Sequence, residues 1–428
     1  MKDIINIGLI GFGKVGSGAA KLLIENRDSI AGKVGSRLHI KRIADLDITT
    51  PRRIEVDRSI LTTDANEIIN DPEIDIVIET IGGLKPAGDF IRRSLENGKH
   101  VVTANKELIA KEGETLLPLA AGLKRDLMFE ASVGGGIPIV RPLKNCLAGN
   151  EILEVKGIVN GTTNYILTRM QDDGLGFDEA LKSAQDLGYA ELDPTSDVEG
   201  HDAAYKISIL ASIAFTSRAD VAKVYREGIT HVTGKDMRYA DALGFVIKLL
   251  AVAKRMDGAM SVRVHPAFVP KSHPLAHVNG VFNAVYVRGN AVGEVMFYGR
   301  GAGSDAAGSA VVGDVIDIAR NIRFGATARV PCTCFDEREM LGMESVRCRN
   351  YVRIIAEDKP RVLAAIATEF ADNDVSIESV LQKVLPDVGA EIVWLTHEAP
   401  EPKMRSALDA IRRLPVVKSI GSWIRVEE

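Results

Sequence analysis

The stretch INIGLIGFGKVG, residues 5 to 16, decides the fold of the first part of the chain. An apolar strand runs into glycines in the order G-x-G-x-x-G, and a helical pattern follows from Lys14 to Glu25. Each glycine serves a purpose that a side chain would obstruct: a tight turn, close approach of the backbone to a pyrophosphate, and close helix packing. The helix N-terminus then faces the phosphate charge. The stretch therefore predicts a strand–turn–helix unit that binds a nucleotide.

Residues 1 to 136 continue this alternation of strands and helices. The further apolar strands are LHIKRIAD (38–45), DIVIET (75–80), HVVTAN (100–105) and LMFEAS (127–132). Strands that alternate with crossover helices predict a Rossmann-type, doubly wound parallel sheet covered on both faces. Asp45 ends the second strand, where its carboxylate could bind ribose hydroxyls, whereas Arg52 and Arg53 could bind a 2′-phosphate. The choice between NAD and NADP therefore stays open.

The rest of the chain divides into a substrate segment and a tail. Residues 137 to 320 are expected to form an α+β domain for substrate binding and subunit contact. Its last part, residues 299 to 320, is a glycine turn and a helix of small residues, expected to pack back on the nucleotide-binding sheet and complete it. Residues 321 to 349 are the expected connection. Residues 350 to 428 have a βαββαβ order, which predicts a small antiparallel, ferredoxin-like sheet with two helices on one face.

Composition excludes several classes of function. A chain of 428 residues favours two or three domains, and a net charge of -5 without a basic stripe gives no electrostatic reason to bind nucleic acid or an anionic membrane. No apolar stretch of about 18 residues occurs, so a cytoplasmic protein with small-molecule chemistry is expected. The cysteines, Cys146, Cys332, Cys334 and Cys348, lack zinc-like spacing. Cys332 and Cys334 are expected to be buried small residues on one strand, without a redox role.

Three further motifs follow the glycine turn. They are TANK (103–106), GIVNGTTN (157–164) and AQDLGYAELDPTSDVEGHDAAYK (184–206). In their content and order the chain resembles homoserine dehydrogenase over residues 1 to 320, and the last motif matches the family signature along its full length. The tail resembles an ACT domain, an amino-acid-sensing module, so the resemblance is to the monofunctional bacterial type.

This resemblance implies an activity and its partners. The expected reaction is the NAD(P)H-dependent reduction of aspartate 4-semialdehyde to homoserine, in the threonine, methionine and isoleucine branch of amino-acid biosynthesis. A homodimer or homotetramer is expected. Two other functions remain open: a nicotinamide oxidoreductase acting on another amino-acid semialdehyde, and a non-catalytic regulator that senses NAD(P).

The reaction needs a group that stabilises and protonates the alkoxide formed when a hydride reaches the aldehyde carbon. Asp202 and Lys206 stand at i and i+4 on a predicted helix, a spacing that surface ion pairs also have. The resemblance implies that Lys206 is the proton donor, that Asp202 contacts substrate and that Glu191 binds the substrate amino group. It also implies that Lys106 lies beside the nicotinamide and the substrate oxygen.

The stretch NGTTN, residues 160 to 164, is expected to be a turn that begins a helix. Free backbone N–H groups and threonine hydroxyls also suit a substrate carboxylate, so Gly161 and Thr162 are candidates for both roles. With the resemblance included, the predicted cofactor-binding residues are Gly11, Phe12, Gly13, Val15, Gly16, Asp45, Lys106, Gly188 and Gly303.

The stretch EASVGGGIP, residues 130 to 138, is by itself a glycine-rich strand exit between domains. The resemblance adds a monovalent cation, typically sodium, because hard oxygen ligands suit such an ion. Its implied ligands are Glu130 and the backbone carbonyls of Val133, Gly135 and Ile137. The site would brace the hinge between the cofactor and substrate domains.

The tail departs from its family at one position. ACT effector loops read D-x-P-G-V-L, whereas DKPRVL here places Arg361 where glycine lets an amino-acid ligand approach the backbone. Threonine, the effector that the resemblance implies, is therefore expected to inhibit weakly at best, and the tail is expected to serve oligomerisation by pairing sheet edges. Its own βαββαβ core also suggests that residues 350 to 428 can be removed without loss of catalysis.

Overall fold

A computed structural model describes residues 2–330 and 332–428 of the chain, which divide into two units. The first unit comprises Met1–Gly161, Ala203–Ala222 and Phe282–Arg338, and the second comprises Thr162–Asp202, Lys223–Val281 and Glu339–Glu428. Among the described helices, none combines the length and the apolar character needed to cross a membrane.

The described part of the chain contains both helices and strands throughout. The strands are β1 (Ile4–Ile10), β2 (Arg37–Ala44), β3 (Leu61–Thr62), β4 (Ile76–Glu79), β5 (His100–Thr103), β6 (Leu127–Met128), β7 (Ile152–Ile158), β8 (Tyr225–Arg226), β9 (Phe245–Met256), β10 (Ala259–Pro270), β11 (Phe282–Gly289), β12 (Gly293–Arg300), β13 (Glu339–Leu341), β14 (Arg347–Ala356), β15 (Ile377–Leu385), β16 (Gly389–Thr396), β17 (Ala399–Pro400) and β18 (Val417–Val426). The helices are α1 (Lys14–Glu25), α2 (Arg27–Val34), α3 (Asn66–Ile69), α4 (Ala87–Glu96), α5 (Lys106–Gly122), α6 (Gly161–Asp172), α7 (Phe177–Asp186), α8 (Thr195–Val198), α9 (His201–Ala214), α10 (Gly234–Ala242), α11 (Ser304–Phe324), α12 (Val362–Asp372) and α13 (Glu401–Arg413).

The first unit contains a parallel sheet in the order β3-β2-β1-β4-β5-β6. Strand order reverses at β1, so the crevice where open α/β sheets bind ligands lies outside the carboxyl ends of β1 and β4. Ile5 and Ile7 face one apolar core, and Val77 and Val101 face another, so both sides of the sheet are buried. This topology confirms the predicted doubly wound sheet. The two-residue β3 escaped prediction because it is too short to show periodicity.

Helix α11 packs against α1 with very little space between their backbones. A Cβ atom on Gly308 would lie 2.7 Å from the carbonyl carbon of Gly18, and one on Gly18 would lie 2.2 Å from the backbone oxygen of Ser304. The Ser304 hydroxyl also donates a hydrogen bond of 2.6 Å to the Lys14 carbonyl. The helix of small residues therefore lies on the nucleotide-binding sheet, as its composition predicts. The first unit also contains an antiparallel ladder of β7, β11 and β12.

The second unit contains the β9–β10 hairpin and the tail. Strands β14, β15, β16 and β18 form an antiparallel sheet in the order β18-β14-β16-β15, which α12 and α13 complete to the predicted βαββαβ fold. Trp394 and Phe370 lie in the apolar core beneath the two helices. Strand β18 also pairs in parallel with β10, with Ala267 opposite Arg425. The tail sheet is thus continuous with the hairpin.

Buried ion pairs reinforce the seam between β10 and the tail. Glu427 is fully buried, and its carboxylate accepts hydrogen bonds from Arg263, one of them at 3.2 Å, and from Lys254 at 3.2 Å. Within the tail, Arg425 donates to both carboxylate oxygens of Glu401, at 2.6 and 2.9 Å, and it also reaches out of the tail to Glu227, just after β8, at 2.8 Å. Removing the tail would leave the buried Arg263 without its carboxylate and expose an edge of β10. The structure therefore argues against the expectation that residues 350 to 428 are separable.

Candidate active site

The glycine turn between β1 and α1 has the geometry that its sequence demands. Gly11 adopts a φ of +98°, and a Cβ on Gly16 would lie 1.9 Å from the Gly11 carbonyl oxygen. A Cβ on Gly13, in contrast, would meet no atom within 4 Å. Steric demand within the chain thus explains the first and third glycines, whereas the second is explained by close approach of a ligand to the backbone. Val15, in the first turn of α1, packs on the core beneath.

Asp45 lies just after β2 and is tied to the glycine turn. Its carboxylate accepts hydrogen bonds from the backbone N–H groups of Phe12, at 2.5 Å, and of Asp47, at 2.9 Å. The Arg52 guanidinium lies 3.8 Å from Asp45 and 3.3 Å from Asp47. The position predicted for ribose recognition therefore holds a carboxylate and a guanidinium side by side. Arg53 points elsewhere, with its guanidinium 4.0 Å from Asp305.

A chain of hydrogen bonds fixes the ends of β4 and β5. The Thr103 hydroxyl donates to Glu79 at 2.6 Å and accepts from the Asn105 backbone N–H at 3.0 Å, and the Asn105 side chain caps α5 by accepting from Leu108 N–H at 3.1 Å. Glu79 is fully buried, and burial raises its pKa although Thr103 opposes the shift. This chain positions Lys106 as the first residue of α5.

Glu79 was missed by sequence reasoning. The signal was present, because the acid ends an otherwise apolar strand in DIVIET at the edge where such sheets bind ligands. Its carboxylate also accepts from the backbone N–H groups of Ile81, at 2.8 Å, and Gly82, at 3.2 Å. The residue therefore orders the crevice loop from within.

Lys206 is buried on α9 within the first unit, with 9% of its surface exposed. Its ammonium donates a hydrogen bond of 2.7 Å to the carbonyl of Val159, the residue after β7. Helices α5 and α9 are neighbours, because the Tyr205 hydroxyl donates to Glu107 at 3.4 Å and the Lys111 ammonium lies 5.4 Å from the Tyr205 ring centre. The first unit therefore brings Glu107 and Tyr205, the chain neighbours of Lys106 and Lys206, into contact.

Other predicted site residues lie in the second unit, on the loop after α7. Gly188 adopts a φ of +72°, which lets the chain leave the helix. The Thr162 hydroxyl donates to the Tyr189 carbonyl at 2.8 Å, and the Gln185 side chain donates to the Glu191 carbonyl at 3.1 Å. Thr162 thus has a structural contact that sequence reasoning did not foresee. The Glu191 side chain is exposed at the loop surface.

The remaining predicted site residues are Gly303, Gly161 and Asp202, and they are divided between the two units. Gly303 precedes α11 with a φ of +117°, and the Ser304 bond to Lys14 places it beside the start of α1. Gly161 is the last residue of the first segment of the first unit and the first residue of α6. Asp202 is buried, belongs to the second unit and precedes Lys206 by four residues on α9.

The loop predicted to bind a cation has its acid already engaged. The Glu130 carboxylate is 1% exposed and accepts from three consecutive backbone N–H groups, those of Ile139 at 2.6 Å, Val140 at 2.8 Å and Arg141 at 2.8 Å. The Arg141 guanidinium also lies 3.3 Å away. Among the described residues, no group of three or more His, Cys, Asp or Glu could hold a metal ion. Glu130 therefore organises the loop, and any cation would depend on the carbonyls of Val133, Gly135 and Ile137.

Comparison with known families assigns nearly the whole chain. The family model described as "Homoserine dehydrogenase, NAD binding domain" matches residues 11–130, and that described as "Homoserine dehydrogenase" matches residues 138–316. The model described as "ACT domain" matches residues 350–416.

Individual relatives are similar over their full length. The chain is 44% identical over 431 residues to a homoserine dehydrogenase of Synechocystis sp., covering 99% of both proteins, and 41% identical over 427 residues to that of Bacillus subtilis, covering 99% and 98%. The crystal structure of a homoserine dehydrogenase from Thiobacillus denitrificans superimposes with a TM-score of 0.93 at 40% identity, covering 99% of this chain and 98% of that chain. A hyperthermophilic archaeal homoserine dehydrogenase in complex with NADPH gives a TM-score of 0.62 at 28% identity, covering 74% and 97%.

Proposed function

The chain belongs to the homoserine dehydrogenase family of NAD(P)-dependent oxidoreductases, and on that premise we propose which of its residues carry the reduction of aspartate 4-semialdehyde to homoserine. When bound, a nicotinamide dinucleotide would supply the hydride that converts the aldehyde carbon to an alcohol carbon. The protein's own task is to hold the aldehyde in place and to deliver a proton to the oxygen. The buried ammonium of Lys206 beside the end of β7 is the observation on which this assignment depends.

Lys206 is the proton donor in this proposal. The Val159 carbonyl accepts one of its three N–H bonds, which orients the ammonium on α9. Burial strengthens its attraction to the negative charge that develops on the substrate oxygen, because the surroundings screen charge less than water does. Donation of the proton leaves a neutral amine, which solvent reprotonates before the next turnover.

The neighbouring residues bind and orient the substrate. Lys106, at the start of α5, is proposed to contact the substrate oxygen and the nicotinamide, and the hydrogen-bonded chain from Glu79 supports its position. Asp202 is proposed to contact substrate and hold Lys206 in register, and Glu191 to bind the substrate amino group. Gly161 and Thr162 are proposed to act mainly by shaping the loop, which the bond from Thr162 to Tyr189 supports.

The nicotinamide cofactor is proposed to bind along the glycine turn with Asp45 and Arg52 at the ribose. Asp45 favours the hydroxyls of NAD, and Arg52 would favour the 2′-phosphate of NADP. Because the two side chains lie 3.8 Å apart, a 2′-phosphate would have to draw Arg52 away from its carboxylate partners. We therefore propose that either dinucleotide binds and that Asp45 and Arg52 together set the ratio of the two affinities.

Three further assignments belong to the proposal. Sodium would bind the carbonyls of the loop from Val133 to Ile137, with Glu130 bracing that loop. Residues 1–136 are proposed to bind the cofactor, in a domain that residues 300–320 complete. Residues 137–320 are proposed to bind substrate and to form the dimer contact. Residues 321–349 would connect this part to residues 350–428, which are proposed to serve ACT-type regulation. A homodimer or homotetramer in the cytoplasm, with threonine as the effector of the tail, completes the assignment.

One assay tests the function. Oxidation of NADH and of NADPH is followed with aspartate 4-semialdehyde, with other aldehydes, and with no aldehyde. Turnover only with aspartate 4-semialdehyde supports the proposal. Equal turnover with another amino-acid semialdehyde would reassign the substrate, and cofactor binding without turnover would indicate a sensor.

A further inference from the structure

A cavity of about 310 Å³ lies in the first unit, away from the glycine turn. Helix α5 contributes Ile109 and Leu117 to its wall, α9 contributes Ile209 and Ile213, and residues 332 to 337 form another side. The cavity is therefore largely apolar, with polar groups concentrated on the side of the connecting segment. Residues 317 to 349 lie between the stretches that the family models match, so this wall belongs to a part of the chain that those models do not describe.

Two cysteines line the cavity on this segment. Cys332 and Cys334 are both half-buried and both line this cavity, with one residue between them in the chain. The Cys334 thiol also donates to the Ser212 carbonyl at 3.5 Å. Residues 332 to 335 form no strand, so the prediction of two cysteines on one strand is wrong. The cysteines instead lie on an irregular segment that can bring their sulfur atoms together.

A cation lies beside the pair. The Lys144 side chain interacts electrostatically with both cysteines and lies 5.1 Å from the Phe129 ring centre, although burial lowers the pKa of its ammonium group. Interaction with the Cys334 side chain, helped by the Lys144 charge and opposed by burial, lowers the pKa of Cys332 to about 6. The same partnership and burial raise the pKa of Cys334. Cys332 is therefore the more easily ionised member of the pair.

The other charged groups on the cavity wall are largely engaged elsewhere. Arg218 forms an ion pair with Glu114, and Asp336 pairs with Arg338 at 2.8 Å. Glu337 also lines the cavity, at the same segment as Asp336. Lys144 is thus the cation with a direct electrostatic effect on the Cys332 sulfur.

We propose that Cys332 and Cys334 form a hydroperoxide-reactive dithiol that closes to an intramolecular disulfide beside this cavity. The Cys332 thiolate attacks one peroxide oxygen, the O–O bond breaks, and protonation of the leaving oxygen gives water or an alcohol and a sulfenic acid at Cys332. The Cys334 sulfur, losing its proton, attacks the Cys332 sulfur and the hydroxyl leaves as water. Both sulfurs are oxidised by one electron each, and the peroxide is reduced by two.

The chain geometry allows this bond. Consecutive Cα atoms are about 3.8 Å apart, so residues separated by one residue have Cα atoms within roughly 7 Å, which overlaps the disulfide range of about 4.4–6.8 Å. Disulfides in a reducing compartment are usually transient and are reversed by cellular thiols. The disulfide would accordingly form and break as the redox state of the cell changes, and it would not be needed to hold the fold together.

Mass spectrometry tests the proposal. The reduced protein, freed of reductant, is treated with hydrogen peroxide, blocked with N-ethylmaleimide and digested with trypsin, which releases Val330–Arg338 as one peptide. We expect this peptide to lose two hydrogens and to take up no maleimide. In Cys334→Ser the reaction should stop at a sulfenic acid that dimedone traps on Cys332, and in Cys332→Ser it should not start.

The pH dependence of alkylation provides a second measurement. Iodoacetamide should modify Cys332 with a midpoint about two pH units below that of an ordinary thiol, and at pH 6 on the order of tenfold faster, since the lower nucleophilicity of a low-pKa thiolate offsets part of the gain. Lys144→Met should move the midpoint upward, and Lys144→Arg should restore it. Exposed Cys146 serves as the internal control.

Two outcomes would overturn the proposal. One is consumption of Cys146 by peroxide while the peptide from Val330 to Arg338 keeps both thiols. The other is a Cys332 alkylation midpoint near about 8.5 in the native protein, the value of an unperturbed thiol.

Discussion

Both units bury charged side chains, but they place them at different points of their sheets. In the first unit, Glu79 and Lys206 lie beside the carboxyl ends of strands, bonded largely to backbone groups and hydroxyls. In the second unit, Glu427, Arg263 and Arg425 lie among the paired strands, where cations and carboxylates neutralise one another. A strand end leaves room for a ligand, whereas the interior of a ladder does not. In these examples, the buried charges of the first unit therefore lie where a ligand could bind, whereas those of the second unit neutralise one another between strands.

The largest expected effect tests the chemical half of this comparison. Lys206→Met should leave cofactor binding intact and lower turnover about 100- to 10,000-fold, the usual contribution of general acid catalysis. The matched control is Lys99→Met, which removes another buried ammonium of the first unit. Lys99 immediately precedes β5, and its ammonium donates hydrogen bonds to the carbonyls of Asp71 and Ile74. The control should lose stability by about 1–3 kcal/mol and keep its turnover. Near-native turnover of folded Lys206→Met would remove it from the mechanism.

The second prediction concerns the seam. Glu427→Gln should lower the free energy of unfolding by about 3–5 kcal/mol, because it leaves the Arg263 cation buried without a carboxylate. The neighbouring control, Glu428→Gln, removes an exposed ion pair with Arg349 and should cost at most about 1 kcal/mol. Denaturant titrations of the three proteins measure both effects. Equal stability of both variants would show that the seam is not held by charge.

The same variant has a predicted pH dependence. Burial disfavours ionised Glu427, but Arg263 outweighs it and holds the pKa well below its ordinary value. A depressed folded-state pKa gives stability that is present above the unfolded pKa of about 4.3 and is lost as pH falls through the folded value. The difference between native protein and Glu427→Gln should therefore be constant above about pH 5 and shrink below about pH 4. A difference that grows on acidification would contradict this sign.

A smaller effect distinguishes binding from proton delivery. Glu191→Gln should raise the KM for substrate about tenfold to hundredfold, since a hydrogen bond to a charged group is worth about 1.5–3 kcal/mol, while kcat changes little. Asp202→Asn should mainly lower kcat by misplacing Lys206. Asp193→Asn, on the same exposed loop, is the control for Glu191. Steady-state kinetics that leave the KM of Glu191→Gln unchanged would exclude this residue from the site.

The smallest effect is expected in the tail. Arg361 adopts a φ of +74° as the residue before α12, the conformation that glycine takes without strain. Arg361→Gly should relieve about 1 kcal/mol of strain, partly offset by greater freedom in the unfolded chain, and should strengthen inhibition by threonine. Arg361→Ala keeps the Cβ and should not strengthen inhibition. Strong threonine inhibition of the native protein would show that the effector tolerates Arg361.

Local patterns predicted the local structure well. The helix from Lys14 to Glu25 is found with the same bounds, and the βαββαβ order of the tail is confirmed. These elements depend on periodicity and on glycine geometry, which a short stretch of sequence contains. An apolar pattern also follows Lys206 on the same helix, in agreement with its burial.

Contacts between distant parts of the chain could not be predicted. The pairing of β10 with β18 joins residues far apart in sequence, and nothing in either strand specifies the other. The hydrogen-bonded chain from Glu79 to Asn105 and the engagement of Glu130 by three backbone N–H groups depend on tertiary placement in the same way. The strand predicted at Cys332 and Cys334 was wrong for a related reason, because a short apolar pattern is weak evidence for a strand when its partner strand is not known.

The parallel pairing of β10 with β18 also sets a time order for biosynthesis. At about 5–20 residues per second, a ribosome needs roughly ten to thirty seconds to proceed from Pro270 to Val426. For that interval the emerging β9–β10 hairpin has an edge whose partner has not yet been made. The second unit can therefore finish folding only after β18 has been synthesised.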